Sequence, residues 1–106
     1  MQQVVHALGE PRRREILDLV RARELPAGEI AARSDVTRPA ISQHLSVLKA
    51  AGLVTETRDG TRRLYRARPE GLVPLKQFLE EFWDPRLEAL KREIEREERK
   101  KHGRNT

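Results

Sequence analysis

Apolar positions along this chain change period several times, and each change marks an element. Between Gln2 and Leu8, Val4, Val5 and Leu8 form a short helical pattern that Gly9 and Glu10 interrupt. Pro11 suits the first turn of a second helix, where its missing amide costs nothing. Ile16, Leu17 and Val20 give that helix its apolar side, and Arg12, Arg13 and Arg14 are its basic start. Cations at a helix start oppose its dipole. A bound phosphate would offset them, and so would Glu10 and Glu15. Leu25-Pro26 reads as a break, Ala27 to Arg33 as a short helix with Ile30 and Ala31 inward, and Ser34-Asp35-Val36 as a tight turn.

The next segment, TRPAISQHLSVLKAAGLV from Thr37 to Val54, is the most informative. Thr37 is placed to cap a helix predicted over 38–51, its hydroxyl accepting from an amide of the first turn. Ile41, Leu45 and Leu48 recur at helical spacing, which leaves Arg38, Ser42, Gln43, Ser46 and Lys49 on the outer surface. Gly52 can take the left-handed conformation that stops a helix, and Leu53 and Val54 begin extended structure. A short helix, a turn and a second helix with a polar outer face make a helix-turn-helix.

Leu53 to Arg58 and Arg62 to Arg68 read as two strands. Asp59-Gly60 between them is a hairpin signal, because both residues tolerate the positive φ of tight turns. The segment Arg58 to Arg68 carries Arg58, Arg62, Arg63, Arg66 and Arg68 against Asp59 alone, so the 58–66 portion is a basic wing able to reach a phosphate backbone or a minor groove. Tyr65 is expected to pack in the hairpin rather than stack on a base. From Glu70 to about Lys101 the chain reads as helix, with Leu72, Leu75, Leu79, Phe82, Trp83, Leu87, Leu90 and Ile94 in one stripe. Asp84 and Pro85 predict a break, with Asp84 capping the second segment. Pairs Glu88/Arg92, Glu95/Arg99 and Glu97/Lys101 lace the far end, and residues 102–106 are expected to be a disordered tail.

These elements predict one mainly α domain over 1–101 with a small β-hairpin, a winged helix-turn-helix of order α-α-α-α-β-β-α with a long C-terminal helix for dimerisation. The final helix holds both phenylalanines and the only tryptophan, more apolar surface than a chain of 106 residues has core to receive. A homodimer is therefore expected, with Val4, Val5 and Leu8 of the first helix and Leu79, Phe82, Trp83, Leu87, Leu90 and Ile94 of the last at the interface. Phe78, Phe82 and Trp83 either form a core cluster there or line a ligand pocket.

Composition sharpens this picture. The chain is 37% hydrophobic and 37% charged, with a net charge of +5, which favours nucleic acid or another anionic surface as partner. The charge is unevenly spread, because no acidic residue falls between Val36 and Thr55. With no cysteine, disulfides and thiolate metal sites are excluded. His6 and His102 sit in different terminal helices and could meet only across a dimer, where a site would still need acidic co-ligands; His44 is expected to pack, half-buried, near the recognition face. No glycine-rich phosphate loop, metal spacing or nucleophile–base set is present, so neither a cofactor, a metal nor catalysis is expected. No apolar run approaches a membrane span and no signal peptide is evident, so a cytoplasmic protein without membrane attachment is expected.

The chain resembles the ArsR/SmtB family of bacterial winged-helix repressors. ALGEPRRREILDLV (Ala7 to Val20), SQHLSVLKAAGLV (Ser42 to Val54) and DGTRRLYRA (Asp59 to Ala67) carry the resemblance, the second most specifically. The resemblance implies a homodimer, paired through first and last helices, that binds operator DNA, near or upstream of its own gene, and blocks transcription. It places base reading on Ser42 and Gln43, with Arg38, Pro39 and Ala40 at the helix start, and phosphate or minor-groove contacts on Lys49, Arg62 and Arg63; Ser46 shares that face. The departures are equally informative. Where family members hold a Cys-x-Cys metal pair, ELPAGEI has Pro26 and Gly28, and the last helix has no histidine before His102. Metals are therefore not the expected inducer; an autorepressor, a small-molecule sensor and a regulator that answers a partner protein are the three alternatives left open. The competing reading is a protein-interaction module on the same scaffold that does not read DNA.

Overall fold

The computed structural model describes residues 1–104, with side chains described to residue 100. Helices α1 (Gln2–Leu8), α2 (Pro11–Ala22), α3 (Ala27–Ala32) and α4 (Arg38–Ala50) precede the hairpin strands β2 (Val54–Asp59) and β3 (Arg62–Ala67). A two-residue strand, β1 (Leu25–Pro26), lies between α2 and α3. After the hairpin come a 3₁₀ turn (Pro69–Leu72), α5 (Val73–Glu81) and α6 (Pro85–Arg104). The architecture is a mainly helical winged helix-turn-helix with a small antiparallel sheet.

Three details depart from the sequence reading. Leu25-Pro26 is not only a break but an edge strand, which pairs with Tyr65 and Leu64 and completes a sheet of order β1-β3-β2. Proline is tolerated on an edge because its missing amide leaves no ladder bond unmade. Secondly, the hairpin turn is Gly60-Thr61, since Asp59 and Arg62 form the last rung. Gly60 has φ +65° and, among the described residues, no non-glycine residue has positive φ, the pattern of a turn with glycine at its first central position. Moving the turn by one residue shifts each cross-strand partner by two, so the same residues still share a face. Thirdly, helix 70–101 is divided. Pro69–Leu72 is 3₁₀, and the chain leaves helix at Phe82–Asp84. The break falls where Asp84-Pro85 predicted it: Asp84 Oδ1 accepts from the Arg86 amide at 2.8 Å and Pro85 opens α6. Helix α6 continues to Arg104, past the expected start of the tail; residues 105 and 106 lie outside the described residues.

Two units are distinguished, residues 1–76 and 77–106. The first holds the core, where Ile16, Val20, Ile30, Ile41, Leu45, Leu48 and Leu53 are almost fully buried. Burial of each such side chain contributes roughly 1.5–3 kcal/mol. Val4 is part of this core at 5% exposure, so it is not available to a partner as expected. Leu8 packs against the core, and Val5 (52% exposed) is the outward-facing apolar residue of α1. In the second unit Leu79, Phe82, Trp83, Leu87, Leu90 and Ile94 are all exposed, up to 70% for Phe82. Phe78 and Phe82 stack at a tilt with ring centroids 5.1 Å apart, both exposed.

The basic start of α2 is satisfied within the protein. Glu10 accepts from the Arg12 amide at 3.3 Å, and Arg12 pairs with Glu15 at 3.4 Å. Arg13 and Arg14 instead turn back onto the end of α1, donating to the carbonyls of Ala7 (2.8 Å), His6 (3.1 Å) and Leu8 (2.6 Å). Those carbonyls lie in the last turn of a helix, where cations are favourable.

Candidate nucleic-acid interface

Helix α4 is held at both ends. Thr37 Oγ1 accepts from the Ala40 amide at 3.4 Å and the Thr37 carbonyl from the Ile41 amide at 2.9 Å. At the far end Gly52 takes φ +75°. Its amide donates to the Lys49 carbonyl at 3.0 Å, and the Leu53 amide to the Leu48 carbonyl at 2.9 Å. This paired capping with a left-handed glycine satisfies the last carbonyls and turns the chain straight into β2.

Between these caps Ile41, Leu45 and Leu48 point into the core. Arg38, Pro39, Ser42, Gln43, Ser46 and Lys49 are exposed, and Ala40 is half-buried. Arg38, Ser42 and Ser46 lie at successive i+4 steps and form one ridge. Among the described residues, the side chains of Arg38, Ser42, Gln43, Ser46 and Arg62 make no hydrogen bond or ion pair. Their polar atoms are left to solvent or to a partner.

The wing stands beside this ridge. A cleft of about 530 Å³ is lined by Pro26, Ala27, Gly28 and Glu29 of the β1–α3 segment, by Arg38 and Ser42 of α4, and by Thr61, Arg62, Arg63 and Tyr65 of the hairpin. It brings four of the expected contact residues, Arg38, Ser42, Arg62 and Arg63, around one concavity. Pro39, Ala40, Gln43, Ser46 and Lys49 are not among its lining residues. Sequence reasoning did not place α3 or Thr61 at this site. The signal was the pairing of Leu25-Pro26 with the hairpin, which a two-residue strand is too short to announce.

Two further contacts define the site's electrostatics. The Arg38 guanidinium carbon lies 3.8 Å from where a Cβ on Gly28 would stand. Arg38 thus reaches over Gly28, a residue with no side chain to offer a metal. Among the described residues no group of three His, Cys, Asp or Glu side chains could hold a metal ion. On the other side, Glu56 of β2 accepts from Lys49 Nζ at 2.8 Å through one oxygen and pairs with Arg63 Nε at 3.3 Å through the other. The Lys49 hydrogen bond first, then the charges of Lys49, Arg63 and Arg58, hold the Glu56 carboxyl below the usual range. His44 is half-buried as expected, its Nδ1 3.4 Å from the Arg13 guanidinium. A guanidinium only donates, so Nδ1 is the acceptor in this contact.

Residues 10–56 match the family model described as bacterial regulatory protein, arsR family. The HTH-type transcriptional regulator Rv2034 of Mycobacterium tuberculosis is 42% identical over 91 residues, covering 86% of this chain and 85% of that one. The transcriptional repressor SdpR of Bacillus subtilis is 40% identical over 60 residues, 57% of this chain and 67% of that protein. Among solved structures, the homodimeric winged helix-turn-helix DNA-binding domain Mb0332 of Mycobacterium bovis superposes with a TM-score of 0.64 at 34% identity, covering 74% of this chain and 73% of that one.

Proposed function

This chain belongs to the ArsR family of bacterial regulatory proteins, and on that footing we propose that it is a homodimeric repressor that reads a near-palindromic operator. The observation that carries this reading is the ridge of α4: an exposed, acid-free face of unpartnered polar and cationic side chains beside a basic wing. Ser42 and Gln43 have the donor and acceptor groups that base edges in a major groove require, and Arg38, Pro39 and Ala40 bring the helix start onto the duplex. Ser46 and Lys49 continue the contact along the helix, and Arg62 and Arg63 reach the backbone or the minor groove. The homodimeric neighbour and the repressor relative support the assembly and the sign of regulation.

The exposed apolar residues Leu79, Phe82, Trp83, Leu87, Leu90 and Ile94 of the second unit support pairing of two chains, and so, separately, does the exposed Val5 of α1. Twofold pairing presents two recognition helices to half-sites about one helical turn apart. An inducer, if one acts, is a small molecule or a protein, because Pro26 and Gly28 stand where a metal-binding pair would need its thiolates.

Selection of bound duplexes from a random-sequence pool tests the reading. Enrichment of a near-palindrome is expected. Recovery of unenriched sequence after repeated rounds at physiological salt would contradict specific reading.

A further inference from the structure

Glu56 is the first acidic residue after the acid-free run from Val36 to Thr55. It is also the carboxylate that joins the recognition helix to the wing. Its side chain is only 15% exposed, while Lys49 and Arg63 are 56% and 58% exposed. The carboxylate is therefore tucked beneath two cations whose outer surfaces face solvent. Each oxygen takes one partner. The contact is fixed by the strand: Glu56 lies opposite Tyr65, so Arg63, two residues away on the same face, is its diagonal neighbour.

Resting on the proposed reading of α4 and the wing as the DNA surface, we infer that Glu56 is a specificity-determining positioning residue. It acts through Lys49 and Arg63 in two ways that differ between DNA sequences. Its negative charge leaves the trio with a net charge of +1 rather than +2, which weakens attraction to any phosphate backbone. Its bridge also holds the end of α4 against β3, so that helix and wing meet the duplex in one fixed relation. Binding without sequence preference needs only the charge, because its affinity comes from phosphates. Base reading by Ser42 and Gln43 needs the alignment, because a contact displaced by an ångström is lost. Removing Glu56 thus improves binding to arbitrary sequence and does not improve binding to the operator.

The test compares Glu56→Gln, Glu56→Asp and the unaltered protein on two duplexes across a salt series. One duplex is the sequence enriched from the random pool; the other is a scrambled sequence of the same length. Circular dichroism of each variant establishes that it is folded. For Glu56→Gln, binding to the scrambled duplex is expected to tighten at low salt. Its log–log salt slope should steepen by about one, the contribution of one more phosphate neutralised. The enriched duplex should not tighten, so the ratio between the two falls by about tenfold, which corresponds to the cost of one misplaced base contact. Glu56→Asp keeps the charge but is one methylene too short to span both cations. It should lower the ratio while leaving the slope unchanged. Equal changes on both duplexes for both variants, or an unchanged slope for Glu56→Gln, would overturn the inference. If no duplex is enriched, the reading of sequence-specific binding fails separately, and the salt slope on scrambled DNA still decides whether Glu56 screens Lys49 and Arg63.

Discussion

The carbonyl of Gly52 lies so close to Gly71 that a Cβ on Gly71 would stand 2.2 Å from its oxygen. The 3₁₀ turn after the wing is thus pressed against the C-cap of the recognition helix. The same carbonyl accepts from Arg68 at 3.1 Å, and the Arg68 amide donates to the Leu53 carbonyl at 2.7 Å. Backbone has no flexible end to move aside, so Gly71→Ala must displace the turn or the cap. A loss of about 1–3 kcal/mol is expected, the range for forcing extra atoms into a packed interior. Urea denaturation measures it, and an unchanged midpoint would mean that the two backbones are not in contact in solution.

At the recognition face, two substitutions should behave differently. Gln43→Ala removes a side chain with both donor and acceptor groups from the exposed face of α4. It should cost about 1–3 kcal/mol on the preferred sequence and relax preference at one base position. Arg62→Ala should weaken preferred and scrambled duplexes alike and lower the salt slope by about one. Titration of both duplexes by fluorescence anisotropy separates the outcomes. A Gln43→Ala protein with unaltered base preference would show that this face is misassigned.

The junction between α5 and α6 should be acid-sensitive. Arg86 donates to the Asp84 carboxylate through its side chain and, at 2.8 Å, through its amide, and these bonds hold that carboxyl below its usual range. A depressed carboxylate contributes stability above its unfolded value. That stability is lost as pH falls from there through the folded value. Helicity of α6 should therefore decline on acidification through the carboxylate range, and Asp84→Asn should flatten that decline. Far-ultraviolet circular dichroism against pH measures it; parallel curves for the two proteins would remove Asp84 as the cause.

Leu90 is 55% exposed, so Leu90→Glu costs the single chain little. If the α6 stripe is the dimer contact, the substitution places a charge in an apolar interface and should shift the protein to the mass of one chain in sedimentation equilibrium. DNA affinity should fall with it, because two half-sites are then no longer engaged together. A dimer that persists in Leu90→Glu would move the interface elsewhere.

Much of this fold was legible because its signals are local. Pro11, Thr37 and Asp84 mark helix starts, Gly52 a helix end, and Ile41, Leu45 and Leu48 name the buried face of α4. What escaped was long-range. The strand of Leu25-Pro26 exists only through its pairing with Tyr65 and Leu64, and two residues carry no periodicity of their own. The turn was placed one residue early, because Asp59-Gly60 and Gly60-Thr61 both offer the required glycine and only the register decides. The role of Arg13 and Arg14 at the end of α1 depends on how α1 and α2 meet. Of the contact surface, the α4 face was readable from helical spacing. The α3 edge of the cleft and the Glu56 bridge required the sheet.

The most direct test of the account is a footprint of the purified protein on DNA upstream of its own gene, at low and at near-physiological salt. The account predicts a protected, near-palindromic site that survives the higher salt, with two half-sites about one helical turn apart. Protection that is diffuse at low salt and vanishes at the higher one would contradict sequence-specific reading at that locus and leave only attraction to the phosphate backbone.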